Sequence, residues 1–147
     1  MSAPTLAPTA DGWVGTLAWG GRVVQVRVER DGVPGEVSLD LARAAMPALA
    51  RLDAAARDVA ARALLPQYND GWRRGERHVD GRMQPFEDPP LDADAFRARL
   101  ALASLDATGE GTLTLGYDAG PLFWGHAVFV TAFDGLAFED THAELFG

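Results

Sequence analysis

The sequence predicts an α+β fold: an antiparallel sheet, built from an N-terminal hairpin and a C-terminal meander, with helices packed on one face. Three observations carry this. A glycine pair, Gly20-Gly21, sits between two alternating apolar runs from Trp13 to Glu29. A long helical stripe follows between Leu39 and Leu65. Turn-separated apolar runs then occupy Leu102 to Phe138. Helices lying between two sets of strands fit segregated layers better than βαβ repeats.

The hairpin is the sharpest local signal. Gly20-Gly21 supplies the two positive-φ residues of a type I′ turn. Pairing across it sets Trp19 opposite Arg22, Leu17 opposite Val24, Gly15 opposite Val26 and Trp13 opposite Val28. Except for Arg22 at the tip, that face is apolar or glycine, and the other carries Thr16, Gln25 and Arg27. Residues 31–37 are turn-rich, and Ser38 suits the N-cap of a helix starting near Leu39. Leu41, Ala45, Leu49, Leu52, Ala56, Val59 and Ala63 recur at helical steps, with charged residues between them. Pro47 breaks or kinks this stripe, and Pro66 marks its end near Leu65.

Residues 66–90 hold glycine, proline and balanced charge without periodicity, and residues 73–90 read as a long loop. Loops of that length are usually functional or disordered. Leu91 to Leu100 reads as a short helix: Asp92 caps it, Leu91 and Phe96 form a hydrophobic staple, and Arg97 and Arg99 suit its C-terminal dipole. The meander comprises strands at Leu102–Asp106, Thr112–Tyr117, Leu122–Thr131 and Leu136–Phe138, followed by an acidic tail.

Composition sets bounds on function. The 147 residues fit one domain, with 48% hydrophobic and 23% charged residues. Cysteine is absent, which removes disulfides, thiolate metal sites and cysteine nucleophiles, and fits a cytoplasmic protein. No apolar run approaches the ~20 residues of a membrane span. Met1 to Ala10 lacks the features of a signal peptide, and residues 1–11 read as a flexible lead-in. Net charge is −8. Residues 91–147 contribute −7 of it, from two arginines and nine acids. Such a field repels nucleic-acid phosphates and attracts a basic protein. Acidic surfaces also serve solubility alone.

Catalytic signatures are missing. The serines are Ser2, Ser38 and Ser104, none within a G-x-S-x-G elbow. His78, His126 and His142 show no metal-ligand spacing, so no metal or cofactor is expected. Two clusters stand out. Tyr68, Asn69, Asp70 and Trp72 place polar-flanked aromatics after a helix, where they either anchor a partner or cover the core. His126 follows Trp124 in an apolar run. If the turn at Asp118–Pro121 has four residues, His126 pairs with Leu113 on an apolar face. It is then either a tuned general base or ligand, or a histidine bonded to a backbone carbonyl.

Two stretches resemble a known family. Leu64-Leu65-Pro66-Gln67-Tyr68-Asn69-Asp70-Gly71-Trp72 is similar to an LL-x-x-YN-x-x-W pattern. Tyr117 to His126, with its LFWGH run, is similar to a D-x-G-x-LFWGH pattern. Together they resemble the bacterial domain-of-unknown-function family 2262 from about Leu39 onward. The resemblance implies no established activity, although small acidic bacterial domains of this kind are often suspected immunity proteins. The expectation is a non-enzymatic domain, monomeric or homodimeric, that binds a basic protein such as a toxin. Tyr68, Asp70, Trp72, Trp124, His126, Glu139, Asp140 and Glu144 are its candidate binding residues. The alternative is a small hydrolase-like or metal-binding enzyme using His126 with nearby carboxylates.

Overall fold

The computed structural model describes residues 5–147, and the fold is α+β. Strands β1 (Ala7–Pro8), β2 (Gly12–Trp19) and β3 (Arg22–Glu29) lead into helices α1 (Val37–Ala45) and α2 (Leu49–Gln67). A π-helical turn follows at Tyr68–Trp72, then β4 (Arg74–Val79), β5 (Arg82–Glu87) and α3 (Ala93–Ala98). The chain closes with β6 (Ala101–Thr108), β7 (Thr112–Asp118), β8 (Ala127–Ala132) and β9 (Thr141–Phe146). Among the described residues seven strands form one sheet in the order β1-β2-β3-β6-β7-β8-β9, while β4 and β5 pair separately.

The N-terminal hairpin has the expected register throughout, from Trp19↔Arg22 to Trp13↔Val28. The sheet itself is mixed: β3 and β6 run parallel, whereas every other pair is antiparallel. A parallel neighbour needs a crossover, and here the crossover is the whole helical segment. That path lays the helices on one face. Val24, Val26 and Val28 of β3, Leu105 of β6, Leu113 and Leu115 of β7, and Val128 and Val130 of β8 all point beneath them and are buried. Alanines at 42, 45, 56 and 60 are fully buried on the opposing helix faces. Their small side chains let α1 and α2 approach the sheet closely.

Several expectations are corrected. The helical stripe breaks at Pro47 as anticipated, but its buried line continues through Ala60 and Leu64, leaving Val59 half-buried and Ala63 exposed. Ser38 does not cap α1. Glu36 holds that position without a side-chain bond, and the buried Ser38 hydroxyl instead donates to the Gly109 carbonyl at 2.9 Å. Helix α2 runs one residue past Pro66 to Gln67, and the Tyr68 N–H still bonds to the Leu64 carbonyl, so the missing proline N–H interrupts the ladder without ending it. The 73–90 loop is a β-hairpin turning at Asp80-Gly81, with φ of 51° and 77°. In the lead-in, residues 1–4 lie outside the described residues, and Ala7–Pro8 pairs with Trp13 and Val14. The strand expected at Leu136–Phe138 is a 3-10 turn at Gly135–Ala137, and the acidic tail supplies β9. Asp92 does cap α3, accepting from the Ala95 N–H at 2.8 Å.

One polar network joins the layers. Asp53 of α2 accepts from the Tyr117 hydroxyl at 2.6 Å, the Trp19 indole at 3.2 Å and Arg57 at 3.0 Å. Arg57 in turn donates to the carbonyls of Arg97 and Leu100 at 2.7 and 2.6 Å, closing the end of α3. Breaking a substantially buried pair strands its partners without water. Asp53→Ala is therefore expected to cost roughly 2–4 kcal/mol of unfolding free energy in urea melts. An unchanged midpoint would show that the network contributes nothing.

Tyr117 also carries a pH dependence. Burial, the hydrogen bond to Asp53 and that carboxylate's charge raise its pKa far above the tyrosine norm, against a smaller pull from Arg57. Its folded pKa exceeds the unfolded value, so its contribution is complete below pH ~10 and is lost as pH rises further. Stability should fall above pH ~10 in alkaline melts, and the decline should be shallower in Tyr117→Phe. Equal slopes would disprove the assignment. Tyr68, whose pKa is also raised, leaves a residual slope in both proteins.

Candidate functional site

The π-turn after α2 sets up the most distinctive surface. Its closing bond runs from the Arg73 N–H to the Tyr68 carbonyl, five residues back, at 3.1 Å. Single π-turns of this kind are frequent at functional sites. Asn69 fixes the turn to the start of α3, its side chain exchanging two 2.9 Å hydrogen bonds with the backbone of Leu91. Tyr68 and Trp72 are thereby presented to Phe123, at ring-centroid distances of 5.9 and 5.6 Å.

The LFWGH run forms the other half. His126 precedes β8 in a turn and not, as its apolar neighbours suggest, mid-strand opposite Leu113; Leu113 pairs with Ala132 instead. Gly120, Trp124 and Gly125 adopt φ of 56°, 56° and 91°, which prolongs the turn as far as His126. Leu122 and Phe123 still drop into the core. Trp124 is a bulky residue in a left-handed conformation, a state that costs of order 1–3 kcal/mol and persists only where its surroundings impose it. Those surroundings are visible. Its indole N–H donates to the Trp72 carbonyl at 3.0 Å, and the two indoles meet edge-on at 5.0 Å. Gly75 of β4 lies beneath its ring, where a Cβ would sit 3.0 Å from Trp124. Even so, Trp124 is 57% exposed.

Tyr68, Trp72, Trp124 and His126 are thus brought together. Asp70 joins them in an open groove of about 600 Å³ lined by Gln67, Asp70, Gly71, Trp72 and Trp124. The remaining candidates are not part of this group. Glu139 and Asp140 lie beyond the far end of β8, roughly 20 Å away along the strand. There their backbone N–H groups bond to the Asp134 carboxylate. Desolvation works upward on Asp134 and is the largest single influence, but the backbone N–H groups of Asp140, Glu139, Asp134 and Phe138 together hold its pKa below the usual carboxylate range. Glu144 pairs with Phe129 in the sheet register, on the face away from the helices.

The His126 Nδ1–H donates to the Phe123 carbonyl at 2.7 Å, and the ring packs on Trp72 at 5.5 Å. The turn carboxylates do not reach it. The one histidine ion pair among the described residues is His142 with Glu144, at 3.8 Å. Among the described residues no group of three or more His, Asp or Glu side chains is placed to hold a metal ion.

Sequence reasoning missed the β4–β5 hairpin and therefore Arg77, Phe86 and Asp88, which flank the aromatics. The Asp80-Gly81 dipeptide was the available signal, since Asp-Gly favours a type I′ hairpin. Its flanks hide it, being charged and without apolar alternation.

The fold is that of a small α+β domain whose surface carries an aromatic corner around Trp72 and Trp124. The chain belongs to the DUF2262 family, described as an uncharacterised protein conserved in bacteria, whose model matches residues 5–142. No curated protein and no solved structure matches the chain.

The buttress beneath Trp124 can be tested directly. Gly75→Ala would press a methyl on the indole and on Phe86, 3.3 Å away. Displaced or wetter Trp124 should give a red-shifted tryptophan emission and a loss of roughly 1–3 kcal/mol in stability. Wild-type emission and stability would mean that the hairpin does not hold the ring.

Proposed function

We propose that this domain binds a basic protein through the Asp70–Trp72–Trp124 groove, acting as a non-enzymatic, immunity-type protein that neutralises its partner. The groove carries the proposal. It offers two indoles, one mostly exposed and held in place by a hydrogen bond, beside a carboxylate with no ion pair among the described residues. An arginine or lysine fits that chemistry, with its charge on an indole face and its N–H groups on Asp70. A fixed indole loses little freedom on binding, which is the reason pre-organised aromatics dominate hot spots. The net charge of −8 supports the same reading by drawing in a cationic partner from a distance.

The test is co-precipitation of the full chain with bacterial lysate at low and moderate salt, comparing wild type with Trp124→Ala, Asp70→Asn and the double variant Glu139→Gln/Asp140→Asn. Wild type should retain one stoichiometric basic partner that salt weakens. Trp124→Ala should weaken the complex roughly 30-fold or more. Asp70→Asn should weaken it several-fold, and the distant double variant should mainly alter the salt dependence. Full retention by Trp124→Ala, with its fold intact by circular dichroism, would reject this surface.

A further inference from the structure

Trp124 also lines a second cavity, of about 580 Å³, between the β4–β5 hairpin, the π-turn and the segment around α3. That volume is in the range of small-molecule sites. Tyr68 lines it and is only 4% exposed, yet its hydroxyl makes no hydrogen bond among the described residues. Among the described residues no fully enclosed side-chain polar atom lacks a partner, so this hydroxyl opens on the cavity. Burial, and secondarily the charge of Asp88, raise its pKa, while Arg99 and Arg73 act the other way. The hydroxyl is therefore a neutral donor within the field of these charges.

The cations in this corner are not equivalent. Arg77 is committed, pairing with Asp88 at 3.5 Å and lying over the Phe86 ring at 3.9 Å. Arg73 is committed to the carbonyls of Asn69 and Asp88 and to Glu87. Arg99 lines the cavity with no ion pair and no side-chain hydrogen bond among the described residues. Leu91, Leu122, Phe86 and Trp124 supply apolar wall.

We infer that this cavity is a binding site for a small organic monocarboxylate with an aromatic or apolar body. Arg99 takes the carboxylate as a two-pronged donor and Tyr68 donates to it from the buried side. The body lies against Phe86 and Trp124. Glu76 and Asp88 on the same wall oppose a second negative charge, which selects a monoanion over phosphate. The site shares only Trp124 with the Asp70 groove, and its anion-binding pair, Arg99 and Tyr68, does not depend on the protein-binding proposal.

The experiment is titration of the full chain with phenylacetate, phenylacetamide and inorganic phosphate, followed by amide NMR shifts and calorimetry. Phenylacetate should shift the amides around Tyr68, Phe86 and Arg99 saturably and bind roughly tenfold tighter than the amide, with phosphate weaker still. Arg99→Gln should abolish the preference for the acid over the amide, and Tyr68→Phe should reduce affinity several-fold without altering the fold. Equal binding of acid and amide, tightest binding of phosphate, or an unaffected Arg99→Gln would each overturn the site. So would a response to an acidic peptide with none to phenylacetate, which would assign the cavity to a protein side chain.

Discussion

The carboxylate of Asp53 is the point on which the layers depend. It sits on the sheet-facing side of α2 and gathers donors from β2, β7 and its own helix. Apolar packing between helix and sheet is non-directional and would tolerate sliding or rotation of α2 over the alanine-rich contact. Hydrogen bonds of 2.6 to 3.2 Å do not. They fix the rotation of α2, and through Arg57 they fix where α3 ends. The π-turn inherits its orientation from α2, and the start of α3 is fastened to it by Asn69. The direction in which Tyr68 and Trp72 face thus traces back to one carboxylate.

The aromatic corner follows from that placement. Three segments meet there: the π-turn, the β4–β5 hairpin that follows it directly, and the distant turn before β8. Each is weakly held on its own. A lone two-stranded hairpin is marginal in water, and a left-handed tryptophan is unfavourable. Together they hold one another, with Trp124 bonded to Trp72 on one side and seated on Gly75 on the other. The result is an indole anchored by a hydrogen bond that lines both the groove and the cavity.

The sequence was most legible where local rules act alone. The Gly20-Gly21 hairpin, the Pro47 break and the Asp92 cap depend on nearest neighbours, and all three stand. It was least legible where distant contacts override those rules. Ser38 has the chemistry of a cap, but a carbonyl from the β6–β7 turn claims its hydroxyl. The turn after Asp118 looked like four residues, but it extends to His126 because Trp124 is drawn to the Trp72 carbonyl. That lengthening alone displaced the expected strand register. The aromatic members of the candidate set were readable as residue types. Their separation from Glu139 and Asp140 was not, since linear closeness near the C-terminus says nothing about opposite ends of a strand.

The parallel seam between β3 and β6 has a consequence for how the chain finds this shape. Most of the other sheet neighbours are joined by short turns and close cheaply. This seam closes across both long helices, the outer hairpin and α3. Loop-closure entropy grows with the logarithm of loop length, and such pairings are slow to form. The N-terminal hairpin and the C-terminal meander are thus two quick local units whose union waits on the collapse of everything between them. The aromatic corner joins Trp72, from that intervening chain, to Trp124, from the C-terminal meander, so it is complete only after the halves have joined.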